Sequence, residues 1–154
     1  MRKTLFVGIG NEFRSDDGVG VFIIELLRSK ALKDTTLKDV EMIIHRGEGV
    51  DLIELWKNYR RVFIFDAVSS DSEAGEVFHF QIPEDNLPST QFNCSTHAFN
   101  IVDVIRLAKT IGSLPEKVSV YGIQAKSFDN GKGLSSAVEQ SAVNLIDRII
   151  GELK

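Results

Sequence analysis

Five short apolar runs that look like buried strands, residues 4–9, 40–44, 61–67, 76–81 and 118–123, constrain this chain more than any other feature. A strand that is apolar at almost every position must be covered on both faces. Between most of these runs lie segments with apolar residues at helical spacing: 18–29 with Val21, Ile24 and Leu27 or Leu26, 51–58 with Leu52, Leu55 and Trp56, 97–109, and 135–153. The alternation predicts an open α/β sheet between helical layers. One connection breaks the rule. Only eight residues, VSSDSEAG, join the third run to the fourth, whereas a parallel crossover needs about a dozen, so the strand at 76–81 should run antiparallel to the others. After it come fifteen residues, IPEDNLPSTQFNCST, without periodicity. Unstructured stretches of that length in compact domains tend to serve function.

Composition narrows the classes. A chain of 154 residues without repeats or Pro/Gly-rich linkers reads as one domain over 1–154. No apolar run approaches the ~20 residues of a membrane helix, and MRKTLFVGIGNEF lacks the features of a signal peptide; the expectation is a cytoplasmic protein without a membrane partner. The single cysteine, Cys94, makes no internal disulfide or thiolate zinc cage. A formal charge of −4 supplies no basic stripe, which argues against nucleic acid.

The first strand runs into Gly8-Ile9-Gly10-Asn11 and then Glu12-Phe13-Arg14-Ser15-Asp16-Asp17-Gly18 before a helix. The opening suggests a dinucleotide fingerprint, but its third glycine is replaced by Phe13, and Asp16 and Asp17 stand where a pyrophosphate would lie. Two carboxylates there suit a cation. Acidic residues also cap helices; we assign the cap to Asp16, with Ser15 as its rival, and leave Asp17 to face the crevice. Asp66 follows Val62-Phe63-Ile64-Phe65 at a strand's carboxyl end. Ligands of open α/β sheets bind outside those ends. With strands 1 and 3 adjacent, Asp17 and Asp66 share one crevice. His97 follows Ser95-Thr96 at the start of a helical segment, where its ordinary role is that of a helix-terminal residue; His79, His45 and Cys94 are weaker candidates. No G-x-S-x-G, H-E-x-x-H or P-loop motif occurs.

Gly8-Ile9-Gly10-Asn11, Ser15-Asp16-Asp17-Gly18-Val19-Gly20, Phe65-Asp66-Ala67 and Thr96-His97 together resemble the hydrogenase maturation endopeptidase family along the whole chain. The resemblance implies a three-layer α/β/α sandwich on a five-stranded mixed sheet of order 2-1-3-5-4, strand 4 antiparallel. It implies an aspartic-type endopeptidase that removes the C-terminal extension of a nickel–iron hydrogenase large-subunit precursor after nickel insertion. Carried over by position, the metal-contacting residues are Asp17, Asp66 and His97, with Asp17 and Asp66 the candidates for catalysis. The nickel belongs to the substrate; no tightly bound metal of the protein's own is expected, and a monomer is. Two carboxylates and an imidazole suit a borderline divalent ion and leave positions open for substrate or water. Arg46-Gly47-Glu48-Gly49 departs from the Asp-Gly-Gly of many members. Two other classes compete: a non-catalytic nickel-binding or assembly-checkpoint protein, and a hydrolase of the peptidyl-tRNA type, against which the net charge speaks.

Overall fold

The protein is described here by a computed structural model covering residues 4–46, 49–85, 93–94 and 101–154, with Asn93 and Cys94 given by their backbone alone. Strand β1 (Thr4–Ile9) leads through a 3-10 turn, Ser15–Gly18, into α1 (Val19–Ala31). There follow β2 (Val40–His45), α2 (Gly49–Trp56), β3 (Arg61–Ser69), β4 (Val77–Ile82), the two-residue β5 (Asn93–Cys94), α3 (Ile101–Thr110), β6 (Lys117–Gln124) and α4 (Ser136–Leu153). The sheet order is β2-β1-β3-β6-β4, with β5 paired to β3 off that path. Leaving β5 aside, this is the expected 2-1-3-5-4 arrangement. The one reversed strand of that path is β4, antiparallel to β6 from Val77 opposite Ile123 to Ile82 opposite Val118, as the short connection before it required.

Alternation along the strands divides the core. Leu5, Val7, Ile9, Val62, Ile64, Val118 and Val120 pack under α2 and α3, while Phe6, Phe63, Phe65, Tyr121 and Ile123 pack under α1 and α4. In α1 the inward residue is Leu27, fully buried, and Leu26 lies at the margin. Helix α2 buries Leu52, Ile53 and Trp56; the Trp56 indole donates to the Ser113 carbonyl at 3.0 Å, satisfying the polar atom that this large side chain carries into the core.

Two expectations need correction. The stretch between β4 and α3 is not without secondary structure, because Asn93 and Cys94 pair antiparallel with Ser69 and Val68. Strand β1 pairs with β3 only as far as Phe65, so β3 outruns β1 and leaves a free edge that β5 takes up. Asp16 does not cap α1: the residue before that helix is Gly18, with no side-chain cap, and the carboxylate of Asp16 turns instead to the loop before α4. Ser15 is no cap either; its hydroxyl donates to the Asp129 carbonyl.

Candidate active site

The glycines of the first loop set how closely α1 approaches the sheet. A Cβ on Gly8 would lie 2.2 Å from the Gly20 carbonyl oxygen, and one on Gly20 would lie 2.4 Å from that of Ile9 and 2.7 Å from that of Phe65. Strand and helix therefore touch backbone to backbone. The tight approach that a third fingerprint glycine would have served is made by Gly20, and Phe13 instead points outward, 58 % exposed. At Gly10 the chain turns with φ +144°, and a Cβ there would collide with the Asp17 carbonyl.

Asp17 is held by this turn. The Asn11 amide donates to both its carbonyl (3.2 Å) and its Oδ2 (3.1 Å), and the Asp17 amide donates to the Arg14 carbonyl. Asp66 falls in register with Val62 and Ile64, on the α2–α3 face of β3, level with Gly122 of β6. It is 2 % exposed, and its Oδ1 accepts from the Ala67 amide at 2.8 Å. Burial holds its carboxyl well above the ordinary value of 3.8, and the charge of Asp17 pushes it in the same direction, against the smaller pull of the Ala67 amide. Two buried carboxylates thus stand within each other's field at the carboxyl edge of the sheet. Such a pair has two uses: it shares a proton, as an acid/base couple does, or it ionises fully on meeting a cation.

The other sequence candidates fall elsewhere or lie outside the described residues. His97 is among the latter, as are Gly47 and Glu48 of the Arg46-Gly47-Glu48-Gly49 segment; Gly49 opens α2 and is buried. His79 sits on β4, stacked on Tyr121 at 4.1 Å, which places it across β6 from β3 and on the opposite face from Asp66. Burial and Arg148 lower its pKa. His45 ends β2, where its carbonyl accepts from the Gly10 amide. The Cys94 backbone pairs with Val68, two residues beyond Asp66. Among the described residues, no three His, Cys, Asp or Glu side chains form a group able to hold a metal ion. Also among them, no helix is long and apolar enough to cross a membrane. Asp16 escaped the sequence reading because its partners lie more than a hundred residues away.

Comparison with known proteins extends this geometry. A family profile described as hydrogenase maturation protease matches residues 25–152. The hydrogenase 2 maturation protease of Escherichia coli strain K12 is 25 % identical over 154 residues, covering 99 % of this chain and 91 % of that protein. Among solved structures, the hydrogenase maturating endopeptidase HybD from E. coli superposes with a TM-score of 0.76 at 21 % identity, covering 98 % of this chain and 91 % of that one, a likeness of fold. The [NiFe] hydrogenase maturation protease HycI from Thermococcus kodakarensis gives 0.70 at 25 % identity, covering 99 % and 92 %. The profile spans α2 to α4 and the strand that carries Asp66, and the full-length relative extends the match over the Asp17 turn. This chain belongs to the hydrogenase maturation protease family and is a hydrolase of the peptidase class.

Proposed function

We propose that the protein removes the C-terminal extension of a nickel–iron hydrogenase large-subunit precursor once nickel has been inserted, and that Asp17, Asp66 and His97 read the metal. The observation that carries this reading is the buried Asp17–Asp66 pair at the carboxyl edge. Isolated buried carboxylates are costly, and two in mutual repulsion cost more, so a site that keeps both is one that gains when a cation arrives. Asp66 lies on the face that α3 covers, and His97 precedes the first described residue of α3 by four positions. Cys94, three positions before His97, is fixed at the carboxyl end of β3. Both facts support His97 as the third member.

The nickel is part of the substrate. When bound it supplies a Lewis acid for the scissile carbonyl or for water. The protein's own contribution is to orient the precursor through the two carboxylates and the imidazole, and to offer Asp17 or Asp66 as the base that takes a proton from the attacking water. The protein acts as a cytoplasmic monomer that holds no metal tightly of its own. The family's protease activity favours this reading over a non-cutting carrier.

The test is to incubate the purified protein with nickel-loaded and metal-free precursor and weigh the products by mass spectrometry. Cleavage of the loaded form alone, abolished by Asp17→Asn, Asp66→Asn and His97→Gln in folded protein, is the expected result. Equal cleavage of metal-free precursor, or an unaltered rate in any of the three variants, would overturn it.

A further inference from the structure

Asp16 is 1 % exposed, beside the proposed catalytic carboxylate, and it has no role in the chemistry above. Its carboxylate accepts four hydrogen bonds: from the amides of Lys126 (2.7 Å), Ser127 (3.2 Å) and Ser135 (2.7 Å), and from the Ser135 hydroxyl (3.0 Å). Its own amide donates to the Ser127 carbonyl. All these partners lie in the loop joining β6 to α4. With three bonds on Oδ2 and one on Oδ1, its oxygens are taken up by donors, so it is poorly placed to serve as a ligand or base.

The same loop grips the residues just before. The Ser15 amide donates to Gly131 (2.8 Å), its hydroxyl to Asp129 (2.7 Å), and the Gly131 amide to Phe13 (2.8 Å). Ser15 is held with φ +52°, a left-handed conformation that is unfavourable for a residue with a Cβ. Such a conformation persists only where its surroundings impose it. The helix that follows has no side-chain cap of its own. The turn bearing Asp17 therefore depends for its position on the Gly10–Asn11 turn on one side and on the Asp16 clamp on the other.

We propose that Asp16 is a positioning residue for the cleavage: by clamping the β6–α4 loop to the 15–18 turn, it fixes where the Asp17 carboxylate stands relative to Asp66. The proposal rests on the reading of Asp17 given above. A charge-assisted acceptor is required because every partner is a donor. Asparagine would keep one acceptor oxygen and, in either orientation, turn an NH2 group against at least one of the backbone N–H groups.

The experiment measures kcat and KM on nickel-loaded precursor for wild type, Asp16→Asn, Ser135→Ala and Asp17→Asn, with Leu145→Ala in α4 as a destabilised control remote from the turn. Amide exchange at Asn11, whose N–H reports the Asp17 carboxylate, is followed in parallel. Displacements near 1 Å cost up to about 100-fold in rate, so Asp16→Asn should lower kcat by about 10- to 100-fold. Its KM should stay within about twofold, and Asn11 exchange should accelerate. Ser135→Ala removes only the 3.0 Å bond and no cap of α4; it should show the same effects in smaller degree, and it decides the matter if Asp16→Asn does not fold. Leu145→Ala should leave kcat intact below its melting range. Unaltered kcat in Asp16→Asn or, where that variant does not fold, in Ser135→Ala overturns the proposal. So does an equal loss in the Leu145→Ala control, which would make the effect one of stability alone. Full activity in Asp17→Asn refutes the reading of Asp17 itself, whatever Asp16 does.

Discussion

Replacing Gly20 with alanine should damage stability and processing through one cause. The added Cβ meets backbone atoms only: the Ile9 carbonyl at 2.4 Å, the Ile9 amide nitrogen at 2.7 Å and the Phe65 carbonyl at 2.7 Å. No side chain is available to swing aside. To restore an ordinary carbon contact of about 3.5 Å, the start of α1 must retreat from β1 and β3 by about 1 Å. Overpacking of this kind costs about 1–3 kcal/mol, and the better helix propensity of alanine returns up to about 1 kcal/mol. With the full offset the net loss is up to about 2 kcal/mol, a fall in Tm of up to about 8 °C. Asp17 lies three residues before Gly20, and Phe65 immediately precedes Asp66, so the retreat opens the distance between the two carboxylates. A 1 Å displacement predicts up to about 100-fold slower processing. Urea denaturation and a mass-spectrometric processing assay, both well below the melting range, measure the two effects. Gly151→Ala is the control. It lies within α4 with nothing within 4 Å of an added Cβ, and it should stabilise by up to about 1 kcal/mol without touching the rate. Wild-type stability and rate in Gly20→Ala would refute the argument that backbone contact places Asp17.

Asp66→Asn should abolish processing yet raise stability by about 1–2 kcal/mol, because it removes a buried charge while keeping the acceptor for the Ala67 amide. The pH dependence has a definite sign: the folded pKa of Asp66 is raised, so its contribution to folding is most favourable below the ordinary value of 3.8 and is lost as pH rises through the folded value. The stability advantage of Asp66→Asn should accordingly grow with pH in urea titrations between pH 4 and 8; an advantage constant across that range would contradict the assigned cause. Asp17→Glu should retain part of the processing rate and Asp17→Asn none, a comparison read on nickel-loaded precursor. Trp56→Phe removes the bond to the part-buried Ser113 carbonyl and should cost about 0.5–1.5 kcal/mol in urea denaturation with the processing rate unaltered.

The parallel strands were legible because each is a nearly pure apolar run: β1 begins and ends where the sequence places it, and β3 extends two residues beyond the expected end, to Ser69. The reversed β4 was legible from chain length alone, eight residues being too few for a crossover. Asp17 and Asp66 could be paired because adjacent parallel strands bring their carboxyl ends together. Asp16 could not be read in the same way. Its helix-initial position made a cap the local expectation, and the donors that claim it are 110 to 119 residues away. The two residues of β5 carry no periodicity, and they pair because β3 outruns β1. The role of Gly20 was hidden by the fingerprint itself, which directs attention to the position of Phe13.

The reversal of β4 also sets a minimum length for the segment between it and β5. Ile82 ends that strand level with Val118, and hence with Val62, at the amino edge; Asn93 lies opposite Ser69 at the carboxyl edge. Seven residues along β3 and three strand spacings across the sheet separate the two points, roughly 27 Å in a straight line. Eleven residue steps join them and reach about 36–40 Å at full extension, which leaves about three residues to spare even for a path that ignores the helices. Part of the long unpatterned stretch is therefore a return journey imposed by topology. Deleting more than about three of its residues would pull Asn93 and Cys94 away from the strand that carries Asp66, so variation in that stretch is open to insertion and nearly closed to shortening.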